Sequence, residues 1–181
     1  MFNEMLQGAI ILSMLGGMMR IATPILLAAL GEVITERAGV QNLGCEGIIL
    51  TGAFIAFLVA QRTESMPTAL LAAVIAGGVM SFLMVLMAAT LKVDQIVTGL
   101  ALNLLASGIT FYWYRIAFKN TTASVMPNID IMKIIKIPIL SEIPVLGEVL
   151  FSQYLLTYFA FIMVPAIWFF LYKTKYGLEI R

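Results

Sequence analysis

Between Met66 and Leu91 the sequence carries no charged side chain, and about 20 such residues in helical geometry are enough to cross the hydrocarbon core of a bilayer. Further apolar stretches run from Ile21 to Leu30, Ile48 to Ala60 and Leu155 to Leu171. The chain is 61% hydrophobic and 12% charged, where a soluble domain carries roughly 25% charge. The expectation is an all-α integral membrane protein, a polytopic helical bundle of about five spans. A chain of 181 residues then forms a single transmembrane domain over 1–181, with no room for a second, soluble one. Its net charge of +1 lacks the basic excess that phosphate-backbone binding needs, so nucleic acid is excluded as a partner.

Turn and cap residues divide the chain. Met5 to Met19 is apolar, but Arg20 followed by Thr23 and Pro24 predicts a break in the first span, with Thr23 as N-cap and Pro24 as first helical residue of a short second piece. Gly39 closes that piece after Ala38. Val40 to Gly44 reads as a polar, glycine-bearing connector, and Glu46 suits the first turn of a helix running to Val59, where free amides favour a carboxylate. Pro67 opens the next span, Thr68 to Leu91. Lys92 to Gln95 marks a boundary, Ile96 to Phe118 forms another span, and Gln153 to Tyr172 the last, with Pro165 as a kink. Pro127, Pro138, Pro144 and Gly147 forbid one helix over residues 120–150, which reads as a long external loop with short amphipathic pieces. The N-terminus lacks the cationic start of a secretory signal peptide.

Two stripes recur at four-residue spacing, so each occupies one helix face. Ala69, Ala73, Gly77 and Ser81 are small, which lets a neighbouring helix approach closely in lipid. Gln95, Gly99, Asn103 and Ser107 are small or polar; they serve either as interhelical hydrogen-bonding groups or as the polar wall of a translocation path, with Asn103 best placed to contact a polar solute. Glu32, Glu36, Arg37, Asn42 and Glu46 lie between two apolar segments, where a charge at mid-membrane would cost a few kcal/mol. They belong either to a surface turn or to a broken-helix element lining a watered path. Tyr112, Trp113 and Tyr114 read as an interfacial aromatic belt.

Chemistry is sparse. The sequence has no histidine and one cysteine, Cys45, so neither a metal site nor a cysteine nucleophile has the residues it needs, and Cys45 reads as a small buried side chain. No phosphate-cradling Gly-x-x-x-x-Gly-Lys-Ser/Thr loop is present. No cofactor is expected, and ATP, if used, must bind another chain. By residues alone a transport subunit, a passive channel or a structural membrane subunit remain open, and a membrane enzyme ranks last.

The run from Ala22-Thr23-Pro24 through Gly31-Glu32, then Glu36-Arg37-Ala38-Gly39-Val40-Gln41-Asn42-Leu43-Gly44-Cys45-Glu46-Gly47, resembles the opening of an ABC-transporter permease of the branched-chain amino acid, ribose and nucleoside importer family. Asp94 to Asn103, Ile143 to Gly147 and Tyr172 to Leu178 continue the resemblance in order, nearest to nucleoside or simple-sugar permeases. Cys45 stands where the family usually has an aliphatic residue. The resemblance implies a subunit importing nucleosides by alternating access, with simple sugars or branched-chain amino acids as alternatives. It implies a second permease subunit, ATP-binding subunits and an extracytoplasmic solute-binding lipoprotein as partners in the bacterial cell membrane. It puts Lys173 to Arg181 inside and residues 120–150 outside, although basic residues alone leave the orientation open. Asn42, Glu46, Gln95, Asn103 and Ser107 are the candidate path residues. Relatives of this kind continue past Arg181, so the chain is expected to be the N-terminal portion of a longer permease, unable to transport alone.

Overall fold

A computed structural model of the chain describes residues 2–119, 132, 134–136 and 146–180. Its elements are α1 (Phe2–Arg37), α2 (Cys45–Thr63), α3 (Met66–Val85), a π-helical turn (Leu86–Thr90), α4 (Gln95–Ala117), β1 (Ile134–Lys136), α5 (Leu146–Leu150), β2 (Ser152–Tyr154), α6 (Leu155–Lys173) and α7 (Lys175–Glu179). Five of these helices are long and apolar enough to cross a membrane, and only 11% to 28% of each apolar window is buried. So little internal burial leaves broad apolar faces, which lipid or further helices must cover.

The chain packs as two compact units, Met1–Ile34 with Met132–Arg181, and Thr35–Ile131. In the second unit α2, α3 and α4 share a core of Met80, Met84, Leu102 and Ala106, with Ile48 and Leu83 packed against it. α2 and α3 approach closely because both carry small residues at the contact. A Cβ on Gly52 would lie 3.5 Å from the Ala73 carbonyl, and one on Gly77 would lie 3.6 Å from Ile48. Ala69 is buried and Ser81 half-buried on the same helix. At the start of this unit the end of α1 turns on Gly39, whose φ of +81° suits glycine. The Gly39 amide donates to the Glu36 carbonyl and the Val40 amide to the Thr35 carbonyl, both at 3.0 Å, which satisfies two terminal carbonyls.

In the first unit, β1 and β2 pair antiparallel, Ile134 opposite Tyr154 and Lys136 opposite Ser152. The Tyr158 hydroxyl bridges this pair to α6, accepting from the Gln153 amide and donating to the Ile135 carbonyl. α7 folds back onto the end of α6, where a Cβ on Gly177 would overlap the Phe170 carbonyl. The Gly177 amide donates to the Thr174 hydroxyl at 3.1 Å, which in turn donates to the Phe170 carbonyl.

Two expectations fail here. α1 runs unbroken through Pro24, so the first span is continuous rather than broken at Arg20 to Pro24. Thr23 is not an N-cap, because its hydroxyl donates backward to the Met19 carbonyl at 2.8 Å and lies 3.0 Å from the Thr157 hydroxyl. Arg20 is accommodated because its Nε donates to Gln153 Oε1 at 3.2 Å and its guanidinium stacks over the Tyr154 ring. Proline in a span removes one backbone bond, and neighbouring hydroxyls and helices make that tolerable. Gln153 likewise does not open the last span: it sits in β2, fully buried, and α6 starts at Leu155. Most of the expected external loop over 120–150 lies outside the described residues.

Candidate functional site

The polar stripe of α4 meets the connector between α1 and α2. Gln95 Oε1 accepts from the Gln41 amide at 2.8 Å, and Gln95 Nε2 donates to the Gly39 carbonyl at 3.4 Å. Two turns further on, Asn103 Oδ1 accepts from the Gly47 amide at 2.8 Å and Asn103 Nδ2 donates to the Leu43 carbonyl at 3.1 Å. Between them Gly99 is buried against the connector, where a Cβ would come within 2.8 Å of the Leu43 carbonyl carbon and 2.9 Å of the Gly44 nitrogen. Those are backbone atoms that cannot step aside, so the position requires glycine.

The same contacts start α2. Gly44 occupies the N-cap position without a side chain to cap the helix, and Asn103 supplies the missing acceptor from a neighbouring helix. Asn42 Oδ1 accepts from the Gly44 amide at 3.2 Å and tightens the turn. α4 has its own cap, with Asp94 Oδ1 accepting from the Ile96 and Val97 amides.

Helix geometry converts this into an offset along α4. Gln95 and Asn103 are separated by about 12 Å along α4, and α4 is uninterruptedly uncharged from Gln95 to Tyr114, after Lys92 and Asp94. α2 and α4 run in the same direction, since Gly47 meets Asn103 at one end and Phe57 meets Phe118 at the other, with ring centroids 5.8 Å apart. α2 therefore begins about two turns inside the start of α4. Irregular backbone fills the difference. Inside a bilayer free amides and carbonyls are tolerated only when satisfied by protein or facing water, and the Gln95 and Asn103 amides satisfy four of them.

Beyond Asn103 the two helices flank an open groove of about 520 Å³, lined by Leu50, Phe54 and Phe57 of α2 and Ser107, Phe111 and Tyr114 of α4. Ser107 is exposed there, its hydroxyl donating to the Asn103 carbonyl at 2.8 Å and keeping its lone pairs available. Glu46 is exposed one turn before Leu50, on the same face of α2. The five candidate path residues thus divide: Asn42, Gln95 and Asn103 brace the connector, Ser107 lines the groove, and Glu46 is exposed one turn before the groove residue Leu50 on the same face of α2. Cys45, expected to be buried, is half-buried beside them.

Sequence reasoning missed the groove's aromatic lining. The signal was present, since Phe111 continues the four-residue spacing of Asn103 and Ser107. Tyr114, taken as part of an interfacial belt, turns toward Phe118 at 4.9 Å and lines the groove, while Tyr112 and Trp113 are more exposed.

Comparison with known proteins places these features in a family. A family model described as branched-chain amino acid transport system / permease component matches residues 14–181. The chain is 37% identical over 170 residues to the guanosine ABC transporter permease protein NupQ of Bacillus subtilis, covering 88% of this chain and 52% of that protein. It is 34% identical over 171 residues to the putative glucose ABC transporter permease protein TsgC13 of Haloferax volcanii, covering 92% and 50%. It is 31% identical over 167 residues to the nucleoside ABC transporter permease protein NupC of Lactococcus lactis, covering 88% and 52%. The chain spans about half the length of these curated relatives. No solved structure matches it. With five membrane-crossing helices and a family match over nearly its whole length, the chain is a multi-pass membrane protein that belongs to the permease components of branched-chain amino acid type transport systems.

Proposed function

We propose that this chain forms part of the transmembrane permease subunit of an ATP-driven importer of nucleosides. The observation that carries the reading is the likeness to permeases named for guanosine and for nucleosides, each over 88% of this chain. The geometry supports it through one feature a passive scaffold does not need, irregular backbone held inside the span region by side-chain amides. Such a segment joins two helices without a continuous hydrogen-bond ladder, so it can absorb the relative motion that alternating access demands. Asn42, Gln95 and Asn103 hold this segment in register, and Glu46 and Ser107 face the solute path. Ala69, Ala73, Gly77 and Ser81 keep α3 against α2 while the rest moves.

The subunit supplies route and gate and no covalent chemistry. ATP is hydrolysed on separate ATP-binding subunits, a second permease subunit completes the path, and an extracytoplasmic solute-binding lipoprotein delivers the solute near residues 120–150. Residues 1–181 lie within one transmembrane domain. The test is uptake by the full-length permease with its partner subunits in proteoliposomes, comparing nucleosides, glucose, ribose and branched-chain amino acids. ATP-dependent accumulation of nucleosides is expected. Uptake that persists with an ATPase-dead partner, or that ignores nucleosides, contradicts the proposal. A simple-sugar permease is the second reading, favoured by the 34% identity to a putative glucose permease, and glucose accumulation alone would establish it.

A further inference from the structure

Glu46 presents a physical problem. It lies in the first turn of α2, one residue before Gly47, which Asn103 holds about 12 Å along α4 from Gln95. A carboxylate that deep and exposed on its helix would be rejected by hydrocarbon, so it must face water or a hydrogen-bond donor. The face of α2 that carries Glu46 continues through Leu50 and Phe54 to Phe57 and forms one wall of the groove. The opposite wall carries Ser107 and Thr110, then Phe111 and Tyr114, one turn beyond Asn103 on α4. Both walls therefore change along their length from polar groups at the foot to aromatic rings above. From Glu46 to Phe54 is about 12 Å of helix rise, comparable to the long dimension of a ribonucleoside.

The geometry points to this groove as a nucleoside subsite. The base stacks against Phe57, Phe111 and Tyr114, whose π-faces accept any nucleobase. The ribose hydroxyls donate to the Glu46 carboxylate, and the Ser107 oxygen accepts from a third donor on the solute. An apolar groove without Glu46 and Ser107 would suit a lipid chain. A sugar site would favour several polar side chains over four aromatic rings, Phe54, Phe57, Phe111 and Tyr114, and one carboxylate. The assignment rests on the nucleoside reading above and adds where and how the solute is held.

The test uses the full-length transporter with its partners in proteoliposomes and measures nucleoside uptake. Phe111→Leu keeps apolar volume but removes the ring; it should raise the apparent KM about tenfold or more, the worth of one base–aromatic stack, whereas Phe111→Tyr should stay near wild type. Glu46→Gln should raise KM for ribonucleosides more than for 2′,3′-dideoxynucleosides, which lack the donating hydroxyls. Equal KM values for wild type and Phe111→Leu would overturn the subsite while leaving nucleoside import standing. A wild-type transporter that accumulates glucose and no nucleoside would instead overturn the import reading. Should a variant fail to reach the membrane, photolabelling of the wild-type transporter with an azido-purine nucleoside decides the matter. Labelled peptides from α2 and α4 support the site, and labelling confined to other segments overturns it.

Discussion

Replacing Asn103 by Leu removes two hydrogen bonds from the start of α2, the Gly47 amide at 2.8 Å and the Leu43 carbonyl at 3.1 Å. The two losses differ in weight. Gly47 is buried, and Asn103 itself occupies the space a Cβ would need there, so no water can replace the lost acceptor. An unsatisfied buried donor of this kind costs about 1–3 kcal/mol. Leu43 is 46% exposed, and its carbonyl can find another donor at small cost. Interhelical hydrogen bonds in membranes average about 0.6 kcal/mol, with a maximum near 1.7, which lowers the range. The expected destabilisation is about 1–2 kcal/mol, measured by reversible SDS unfolding of the full-length protein in mixed micelles. Amide exchange at Gly47 should accelerate, while exchange in the middle of α4 should not. Gln95→Leu should cost less, about 0.5–1 kcal/mol, because its partners Gln41 and Gly39 are exposed. If Asn103→Leu were neutral, or if Gln95→Leu were the more damaging, the cross-helix cap would not be what starts α2.

Other substitutions probe other parts of the account. Gly99→Ala places a methyl within 2.9 Å of the connector backbone; it should destabilise the protein by about 1–3 kcal/mol and abolish uptake, and a double variant with Gln95→Leu should be less than additive in unfolding assays. Gln153→Leu leaves Arg20 without its acceptor beside α6. It should cost about 1–3 kcal/mol by detergent unfolding, with Gln153→Glu, which keeps an acceptor for Arg20, retaining more stability than Leu. Gly177→Ala cannot fit against the Phe170 carbonyl, so limited proteolysis should cut after Lys175 faster than in wild type while the α2–α4 unit keeps its unfolding midpoint.

The spans were legible because their signal is local. An uncharged run, a proline at a helix start and a short charged boundary can be read without knowing any partner, and α3 with its π-helical turn, and α4, fall within a few residues of expectation. The first span was misread for the opposite reason. Arg20, Thr23 and Pro24 look like a break until Gln153, Tyr154 and Thr157, some 130 residues away in the chain, are seen to partner Arg20 and Thr23. The short strands and α5 were missed because three to five residues carry too little pattern to distinguish them from loop. At the site, four-residue spacing correctly gathered Gln95, Gly99, Asn103 and Ser107 onto one face. It could not tell that the first three contact irregular backbone rather than another helix, nor that α2 starts two turns inside α4. That depends on which atoms pair, and pairing is tertiary.

The most direct measurement is water access at the foot of the groove. In a background with Cys45 and every other cysteine of the full-length transporter replaced, Glu46→Cys and Leu104→Cys place single thiols at nearly the same height along the helices, one on the groove face of α2 and one on an α4 surface that is 76% exposed. A charged, membrane-impermeant thiol reagent applied to the reconstituted full-length transporter should modify position 46, be slowed by added nucleoside, and leave position 104 unmodified in lipid. Equal modification at both positions, or protection of position 46 in the absence of solute, would contradict a watered groove beside a connector held within the membrane.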